Sequence, residues 1–340
     1  MRFGLALMND YPAPADVAVR RGQLVEQAHA AREAGIESLW VLQHYLGNMP
    51  TLQPVPLLGW LAGQVDGIAL GTNMFILPLR HPVAVAEEFA TLDQLSGGRM
   101  IAGFGMGYRH NEFAAFGVDE AERKARFEEG VTLVRRFWAG ERVSFHGTHF
   151  TVDGEALSLP PVQPGGPPVW IGAGAHRTGV RRAARLGDAW LVPPHVGDER
   201  LAAVAAEYAA ERARLERPPG RLAVRRELLL DPDPEKAFAT GLRARSALSA
   251  AYGAYNAPDT TEVYQHLAGA DSAADTAQRA YLFTDPDTCV RKLRALAALG
   301  VTDVVLRAQW HNLPHETVLR TLELFGRRVR PALDAGCDAP

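Results

Sequence analysis

Residues 70–117 read LGTNMFILPLRHPVAVAEEFATLDQLSGGRMIAGFGMGYRHNEFAAFG and contain the greater part of a strand, a helix and a second strand. The apolar runs Ile68–Leu77 and Met100–Met106 show little alternation, as expected for parallel strands that are covered on both faces. Between them, apolar side chains recur at helical spacing after Pro82. This unit predicts an α/β fold built on a parallel sheet.

The same alternation of strand and helix continues along the whole chain. Apolar runs predict eight strands, at Phe3–Met8, Ile36–Leu42, Ile68–Leu77, Met100–Met106, Val169–Ala173, Ala189–Val192, Leu222–Leu230 and Val301–Gln309. Helical patterns lie between them at about 20–35, 81–98, 121–138, 177–186, 198–216, 286–299 and 315–330. A doubly wound sheet also alternates in this way, but the count of eight favours a TIM (β/α)8 barrel.

Two segments interrupt the repeat, at about 140–167 and 231–285. The first is rich in glycine and proline around VSFHGTHFTVDG and predicts an insertion that carries a hairpin. The second predicts an insertion, partly helical, that covers the C-terminal mouth of the barrel. Neither segment resembles an independent domain, so we expect one domain over residues 1–340.

Composition excludes several classes of function. The 36 basic and 39 acidic residues give a net charge of −3 without long runs of one sign, which disfavours nucleic acid as a partner. Cys289 and Cys337 lack the spacing of a metal site and suit a reducing compartment. The first residues predict a strand and not a signal peptide, and no apolar run is long enough to span a membrane. We therefore expect a cytoplasmic protein.

In a barrel of this type, the active site lies where the strands end at their carboxyl side. The residues that follow the predicted strands include few carboxylates, which argues against glycosidase chemistry, and none has the spacing of metal ligands. Two glycine-rich turns, Gly103–Tyr108 and Gly172–His176, follow neighbouring strands. Neither turn matches a dinucleotide-binding fingerprint. Because both turns lie on the same face of the barrel, they favour a single ligand that carries a phosphate.

The stretch 70–117 resembles the hallmark region of the bacterial luciferase-like flavin-dependent monooxygenases. The resemblance extends to LWVLQHY before it, to PVWIGAGAHRTGVRRAARLGDAWL, and to VLRAQWHNLPHETVLRTLELFGRRVRPAL near the end. It covers nearly the whole chain. It implies a TIM barrel, often dimeric, that binds a reduced flavin at its mouth under an insertion that closes over the site.

Residue by residue, the resemblance assigns a catalytic role to His44, although Gln43 and Tyr45 differ from the neighbours usual in the family. It also implies a non-prolyl cis peptide between Asn73 and Met74, facing the flavin ring. An arginine that relatives often place against the flavin phosphate is replaced here by Met106. The cofactor-binding residues implied are Asn73, Met74, Met106, Gly107, Tyr108, Gly174, Ala175, His176, Arg177 and Thr178.

The resemblance leaves three functions open. The first is a monooxygenase that receives FMNH2 from a separate flavin reductase and uses dioxygen, through a C4a-peroxyflavin, to oxidise a lipophilic carbonyl or aromatic compound. The second is an oxidoreductase that transfers hydride through 8-hydroxy-5-deazaflavin (coenzyme F420), although such relatives commonly have aspartate where Gln43 stands. The third is a flavin-binding protein without turnover. Retention of His44 weakly disfavours this third function.

Aromatic residues and a histidine near the predicted strand ends are candidates for an apolar substrate pocket. These candidates are Trp60, Phe75, Trp310 and His311. The expected partners are a small-molecule substrate, dioxygen, a flavin reductase and a second copy of the chain.

Overall fold

The computed structural model describes residues 1–11, 16–47, 49–256 and 273–335. The strands are β1 (Arg2–Ala6), β2 (Ser38–Val41), β3 (Ala69–Thr72), β4 (Phe75–Ile76), β5 (Met100–Gly105), β6 (Val143–His146), β7 (Thr151–Glu155), β8 (Val169–Gly172), β9 (Ala189–Val192), β10 (Arg221–Leu230), β11 (Leu282–Thr284) and β12 (Asp303–Arg307). The helices are α1 (Val17–Glu33), α2 (Pro54–Ala62), α3 (Pro82–Ser96), α4 (His110–Ala115), α5 (Arg123–Trp138), α6 (Arg177–Leu186), α7 (Asp198–Arg214), α8 (Pro234–Asn256), α9 (Ala273–Ala280), α10 (Pro286–Ala298), α11 (His315–Leu324) and α12 (Arg330–Asp334).

Eight parallel strands in the described part of the chain close into a barrel surrounded by helices. Their order is β1, β2, β3, β5, β8, β9, β10 and β12, and β12 pairs with β1 to complete the ring. Each strand coincides with one of the eight runs predicted from sequence, although β1 and β10 begin one residue earlier, and the short β4 continues the third run and pairs with β5. The predicted TIM barrel is confirmed.

Local sequence explains how the outer helices begin and end. In α3, Pro82 occupies the first turn and Gly97 ends the helix with a left-handed φ of 65°, a conformation that glycine adopts without strain. In α1, the Asp16 carboxylate caps the helix by accepting the N–H of Ala18 at 2.8 Å. The apolar faces of both helices are buried against the strands. Those residues are Leu24, Ala28 and Ala31 in α1, and Val85, Phe89 and Leu92 in α3.

Two tryptophans fill the lower interior of the barrel. Trp40 of β2 and Trp170 of β8 are buried with their ring centroids 4.6 Å apart. A Cβ on Gly71 of β3 would lie 2.5 Å from the Trp40 ring, so the absence of a side chain there makes room for the indole. Small and aliphatic residues complete this layer, namely Ala6, Ile101, Ala189, Leu191, Ala223 and Val305. The barrel interior is therefore closed below the mouth.

Both segments that interrupt the repeat have structure of their own. Residues 140–167 contain the antiparallel hairpin of β6 and β7, as predicted. Residues 231–285 contain α8, α9 and β11, while their part at 257–272 lies outside the described residues. β11 pairs with the last three residues of β10, which continues beyond its pairing with β12. This segment therefore extends the barrel wall above its rim.

Candidate active site

His44 lies at the mouth of the barrel, in the loop that follows β2. Its imidazole is 14% exposed, and Nδ1 is 3.3 Å from Oε1 of Glu112. The other ring nitrogen, Nε2, is 3.5 Å from the Tyr108 hydroxyl, and the two rings meet edge to face. Because parallel strands end at one face, the loops after β2 and β5 bring these three side chains together.

The Glu112 side chain is completely buried on α4. Its Oε1 accepts the backbone N–H of Tyr45 at 2.7 Å and a guanidinium N–H of Arg109 at 2.9 Å. A carboxylate beside Nδ1 places the ring proton on that nitrogen, which leaves Nε2 as the basic atom. Sequence reasoning nominated the turn Gly103–Tyr108 after β5 and missed Glu112. The signal was present, because an acidic residue in the first turn of a helix after a barrel strand belongs to the mouth.

The unusual neighbours of His44 fix the loop in place. The Gln43 amide accepts the backbone N–H of Ile76 at 2.7 Å and donates to the Tyr45 hydroxyl at 2.8 Å. Burial raises the pKa of the Tyr45 phenol, and a hydrogen bond with Arg80 opposes part of that rise. Gln43 and Tyr45 therefore hold the His44 loop against β4, and Glu112 is the carboxylate beside the imidazole.

The Asn73–Met74 peptide is cis, at the position that the family resemblance implied. The Met74 side chain extends between the ends of β5 and β8. A Cβ on Gly103 or Gly105 would lie within 2.8 Å of it, and one on Gly172 would collide with its sulfur. These glycines of the two glycine-rich turns therefore make room for the Met74 side chain. The sequence alone suggests a different explanation, namely that the glycines make room for a ligand that carries a phosphate.

The start of α6 has the features of a phosphate site. His176 caps the helix, with Nδ1 accepting the N–H of Gly179 at 3.2 Å, and the Thr178 hydroxyl lies 2.9 Å from the same nitrogen. Arg200 of α7 donates to the carbonyl of Ala175 at 2.7 Å, next to the exposed Arg177. A helix N-terminus with two nearby guanidiniums fits a cofactor phosphate. The roles predicted for Gly174 to Thr178 agree with this geometry and stay predictions.

On the β5 side, Met106 and Tyr108 are partly exposed at the mouth. Gly107 between them has a φ of 73°, and a Cβ there would lie 2.7 Å from the Ile76 side chain. Close packing on Ile76 therefore requires glycine at this position. The predicted contacts of Met106, Gly107 and Tyr108 with a cofactor stay predictions.

Three of the four residues predicted for a substrate pocket are packed in the core or lie on an outer helix. Phe75 is fully buried between the barrel and its helices, where it packs against Phe89 and Phe104. Trp310 is also fully buried, against Phe283 of β11. Trp60 lies in the last turn of α2, which runs from the mouth back to the opposite end of the barrel. The Phe75 assignment is corrected, because its side chain faces α3 and not the barrel interior. The substrate roles predicted for Trp60 and Trp310 stay predictions.

His311 is the pocket candidate that stays at the mouth. Its Nε2 lies 3.9 Å from the Asp10 carboxylate, where the loops after β12 and β1 meet. Burial lowers the pKa of the His311 imidazole, and the charge of Asp10 opposes that effect. Its role toward substrate stays a prediction.

Sequence reasoning missed a charged group on the β10 and β12 wall. The Glu227 side chain is completely buried, with Oε1 2.8 Å from Arg225 and 3.6 Å from Nε of Arg245. Burial alone would raise the pKa of the Glu227 carboxyl, but Arg225, Arg245 and Arg307 outweigh it and hold that pKa below its ordinary value. The signal was the charged triplet 225–227 within the otherwise apolar run 222–230.

This site defines the class of protein, a TIM barrel with a histidine–carboxylate pair and a non-prolyl cis peptide at its mouth. The sequence model of the luciferase-like monooxygenase family matches residues 1–303. The chain belongs to this family of oxidoreductases.

Individual relatives extend this assignment. An F420-dependent glucose-6-phosphate dehydrogenase of Rhodococcus erythropolis is 30% identical over 326 residues, covering 92% of this chain and 94% of its own. An F420-dependent hydroxymycolic acid dehydrogenase of Mycobacterium tuberculosis is 29% identical, with coverage of 92% and 85%. The crystal structure of a monooxygenase from Streptomyces bottropensis superposes with a TM-score of 0.85 at 23% identity, covering 98% and 99% of the two chains, and shows the shared fold.

Two further features concern the described residues alone. They contain no group of three or more histidine, cysteine or acidic side chains arranged to hold a metal ion. None of their helices combines the length and apolar character that a membrane crossing requires.

Proposed function

We propose that the chain is an F420-dependent oxidoreductase that transfers hydride between an alcohol, or the matching carbonyl compound, and the deazaflavin. Two sequence relatives that align over 92% of the chain are F420-dependent dehydrogenases. This support reverses the order of the functions weighed from sequence, where the FMN monooxygenase came first. When bound, the deazaflavin supplies the hydride acceptor or donor.

The observation that carries the proposal is the pair formed by His44 and Glu112. Oxidation of an alcohol by hydride transfer requires a base that removes the hydroxyl proton. Nε2 of His44 accepts that proton, and the buried Glu112 carboxylate, 3.3 Å from Nδ1, stabilises the imidazolium that results. The Tyr108 hydroxyl, 3.5 Å from Nε2, orients the substrate oxygen or passes the proton outward.

Two groups of residues at the mouth bind different parts of the cofactor. Asn73 and Met74 lie next to the ends of β5 and β8 and hold the ring system near His44. The start of α6, with Arg177 and Arg200, holds the phosphate. Closure of the barrel below by Trp40 and Trp170 keeps water from entering the site from that side.

A second candidate is a monooxygenase that takes FMNH2 from a separate reductase and uses dioxygen. The close fold similarity to the Streptomyces monooxygenase supports it. His44 then donates a proton to the oxygen species or the substrate. A flavin-binding protein without turnover is disfavoured by the buried His44–Glu112 pair, because a binding role gives no reason to bury a carboxylate behind an imidazole. A homodimer and a cytoplasmic location stay predictions.

Purified protein incubated with F420 and a panel of alcohols tests the proposal. We expect the absorbance of oxidised F420 to decline with a substrate and the matching ketone or aldehyde to form. In a parallel reaction, dioxygen uptake is measured with FMNH2 and lipophilic carbonyl compounds. Dioxygen uptake with product formation, and no reaction with F420, would replace the first function by the second.

His44→Ala should lower kcat by about 10²- to 10⁴-fold, the usual contribution of a general base. Binding of F420, followed by fluorescence, should be unchanged, because the phosphate site at α6 is separate. His146→Ala, in the exposed hairpin, is the control and should keep full turnover. Unchanged kcat in His44→Ala would remove the histidine from the mechanism.

A further inference from the structure

The side chains of Arg225 and Arg307 face the interior of the barrel at its mouth. Ala223 and Val305 belong to the interior layer, and each arginine lies two residues further along the same strand, on the same face. The strand register pairs Arg307 with Glu227 and Arg225 with Val305. The Arg225 side chain is 21% exposed and opens this group to the mouth.

Arg307 has hydrogen-bonding capacity that the described residues do not use. Its Nε donates to the carbonyl of Gln309 at 3.2 Å, but Nη2 is buried and has no acceptor among the described residues. Two other arginines, Arg99 and Arg212, are bonded differently. Arg99 donates to four backbone carbonyls, and Arg212 donates to three.

A network that served only the fold would bond the donors of Arg307 in the same way, because a buried unpaired donor on a charged group is costly. In addition, three guanidiniums act on the one carboxylate of Glu227. The arrangement suits a ligand that brings its own negative charge and accepts hydrogen bonds in the plane of a guanidinium.

We infer that the Arg307 guanidinium, with Arg225 beside it, binds a carboxylate or phosphate group on the substrate. This inference rests on the proposed function and adds the substrate class, an alcohol that also carries an anionic group. β12 and β2 lie two strand spacings apart, so the anionic group and the carbon that reacts at His44 are separated by roughly 10 Å. An acyclic chain of about six carbons, or one sugar ring, spans that distance.

The test compares two binding probes of matched length, ω-hydroxyhexanoate and hexanol, by calorimetry on the F420-saturated protein. We expect the carboxylate to bind about 10-fold more tightly or better, as for hydrogen bonds to a charged group. Arg307→Met should abolish that preference. Arg226→Met is the matched control, since Arg226 is buried on β10 next to Arg225 but bonds to Val196 and Asp198 outside the barrel interior. It should keep the preference.

A measurement on the unmodified protein covers the case in which Arg307→Met does not fold. Inorganic phosphate should compete with ω-hydroxyhexanoate but not with hexanol. Equal affinity for the two probes, a preference that survives Arg307→Met, or the absence of competition by phosphate would each overturn the inference. If Arg307→Met weakened F420 binding and left the probe preference intact, the cluster would belong to the cofactor and the inference would also fail.

The proposed function and this inference fail separately. If F420 does not bind, the proposed function is wrong, and the same two probes are measured on the protein without F420. A preference for the carboxylate that depends on Arg307 would then still support an anion site at the mouth.

Discussion

His44 and Glu112 are 68 positions apart in the chain and come from different loops, yet their side chains share a hydrogen bond. Their meeting depends on a set of small local contacts. Asn9 bonds to the carbonyls of Leu42 and Leu52, and Gln53 bonds to the carbonyl of His44 at 2.9 Å. Single polar side chains thus fix the His44 loop, because a loop without regular pairing needs other partners for its backbone groups.

The variant Glu112→Gln should show whether Glu112 acts on the His44 imidazole or on the binding of alcohol and F420. The amide keeps the size and still accepts the N–H of Tyr45, but it removes the negative charge beside His44. We expect kcat for alcohol oxidation to fall about 10- to 100-fold, since about 1.4 kcal/mol of lost stabilisation is one factor of ten, with KM for the alcohol and F420 affinity unchanged. An equal change in KM would show that Glu112 acts on the shape of the pocket.

Gly103→Ala should destabilise the protein by about 3 kcal/mol, the upper end for overpacking a core. A Cβ there would collide with the backbone carbonyl of Thr72 and with Met74. Gly22→Ala is the control, because it lies exposed in α1 with open space around it, and it should stabilise by about 0.5 to 1 kcal/mol. Urea unfolding midpoints compare the two; similar values would contradict the packing argument.

Among the elements, α6 and the hairpin β6–β7 follow sequence patterns closely, while β10 does not end where a barrel strand usually ends. Residues 177–186 were predicted and observed as a helix with the same bounds. β10 is ten residues long and takes a second partner, β11, above the rim. Charged residues at 225–227 lie at the height where the strand changes partners, so the same element supports the barrel and carries the charged group.

Glu129→Ala should loosen the hairpin without unfolding the barrel. The Glu129 carboxylate of α5 accepts the backbone N–H groups of Thr148, His149 and Phe150 at 2.8, 3.0 and 3.2 Å. Their loss should speed amide hydrogen exchange in the hairpin by about 10-fold or more, given roughly 1.5 to 3 kcal/mol for hydrogen bonds to a charged group. Glu128→Ala, whose partners are Arg182 and Arg185 on α6, is the control and should leave hairpin exchange unchanged.

At the scale of the whole molecule, barrel closure brings the end of the chain to its beginning. β12 pairs with β1, which places the mouth residues of the last strand beside those of the first. As a result, Arg307 and His311 lie two strands or fewer from the His44 loop. Closure of the sheet thus brings residues that are far apart in the sequence to one face of the barrel.

Glu227→Gln should destabilise the barrel at neutral pH by about 3 to 5 kcal/mol, the cost of removing one partner from a buried charged group. The pKa of Glu227 is lower in the folded chain than in the unfolded one. Its ionised form therefore stabilises the fold above the unfolded pKa, about 4.3, and this contribution is lost as pH falls through the folded pKa.

This loss of stability is measured from the denaturation midpoints of the unmodified protein and of Glu227→Gln, at pH 7 and across the acid range. The gap between the two proteins should narrow as the pH falls below about 4. Glu33→Gln, an exposed change on α1, should follow the unmodified protein throughout. A gap that is constant with pH would show that Glu227 acts through packing and not through charge.

The sequence by itself determined the barrel, its eight strands, the approximate bounds of seven outer helices and the place of His44 at the mouth, because these depend on local periodicity and on the direction of parallel strands. Only the tertiary structure decided which carboxylate stands behind His44, that Gly103, Gly105 and Gly172 make room for Met74, and that Phe75 faces α3 and not the mouth. It also assembled Arg225, Glu227 and Arg307. The physical reason is that contacts between residues tens of positions apart depend on strand register and side-chain direction, and one residue of register reverses the face on which a side chain lies.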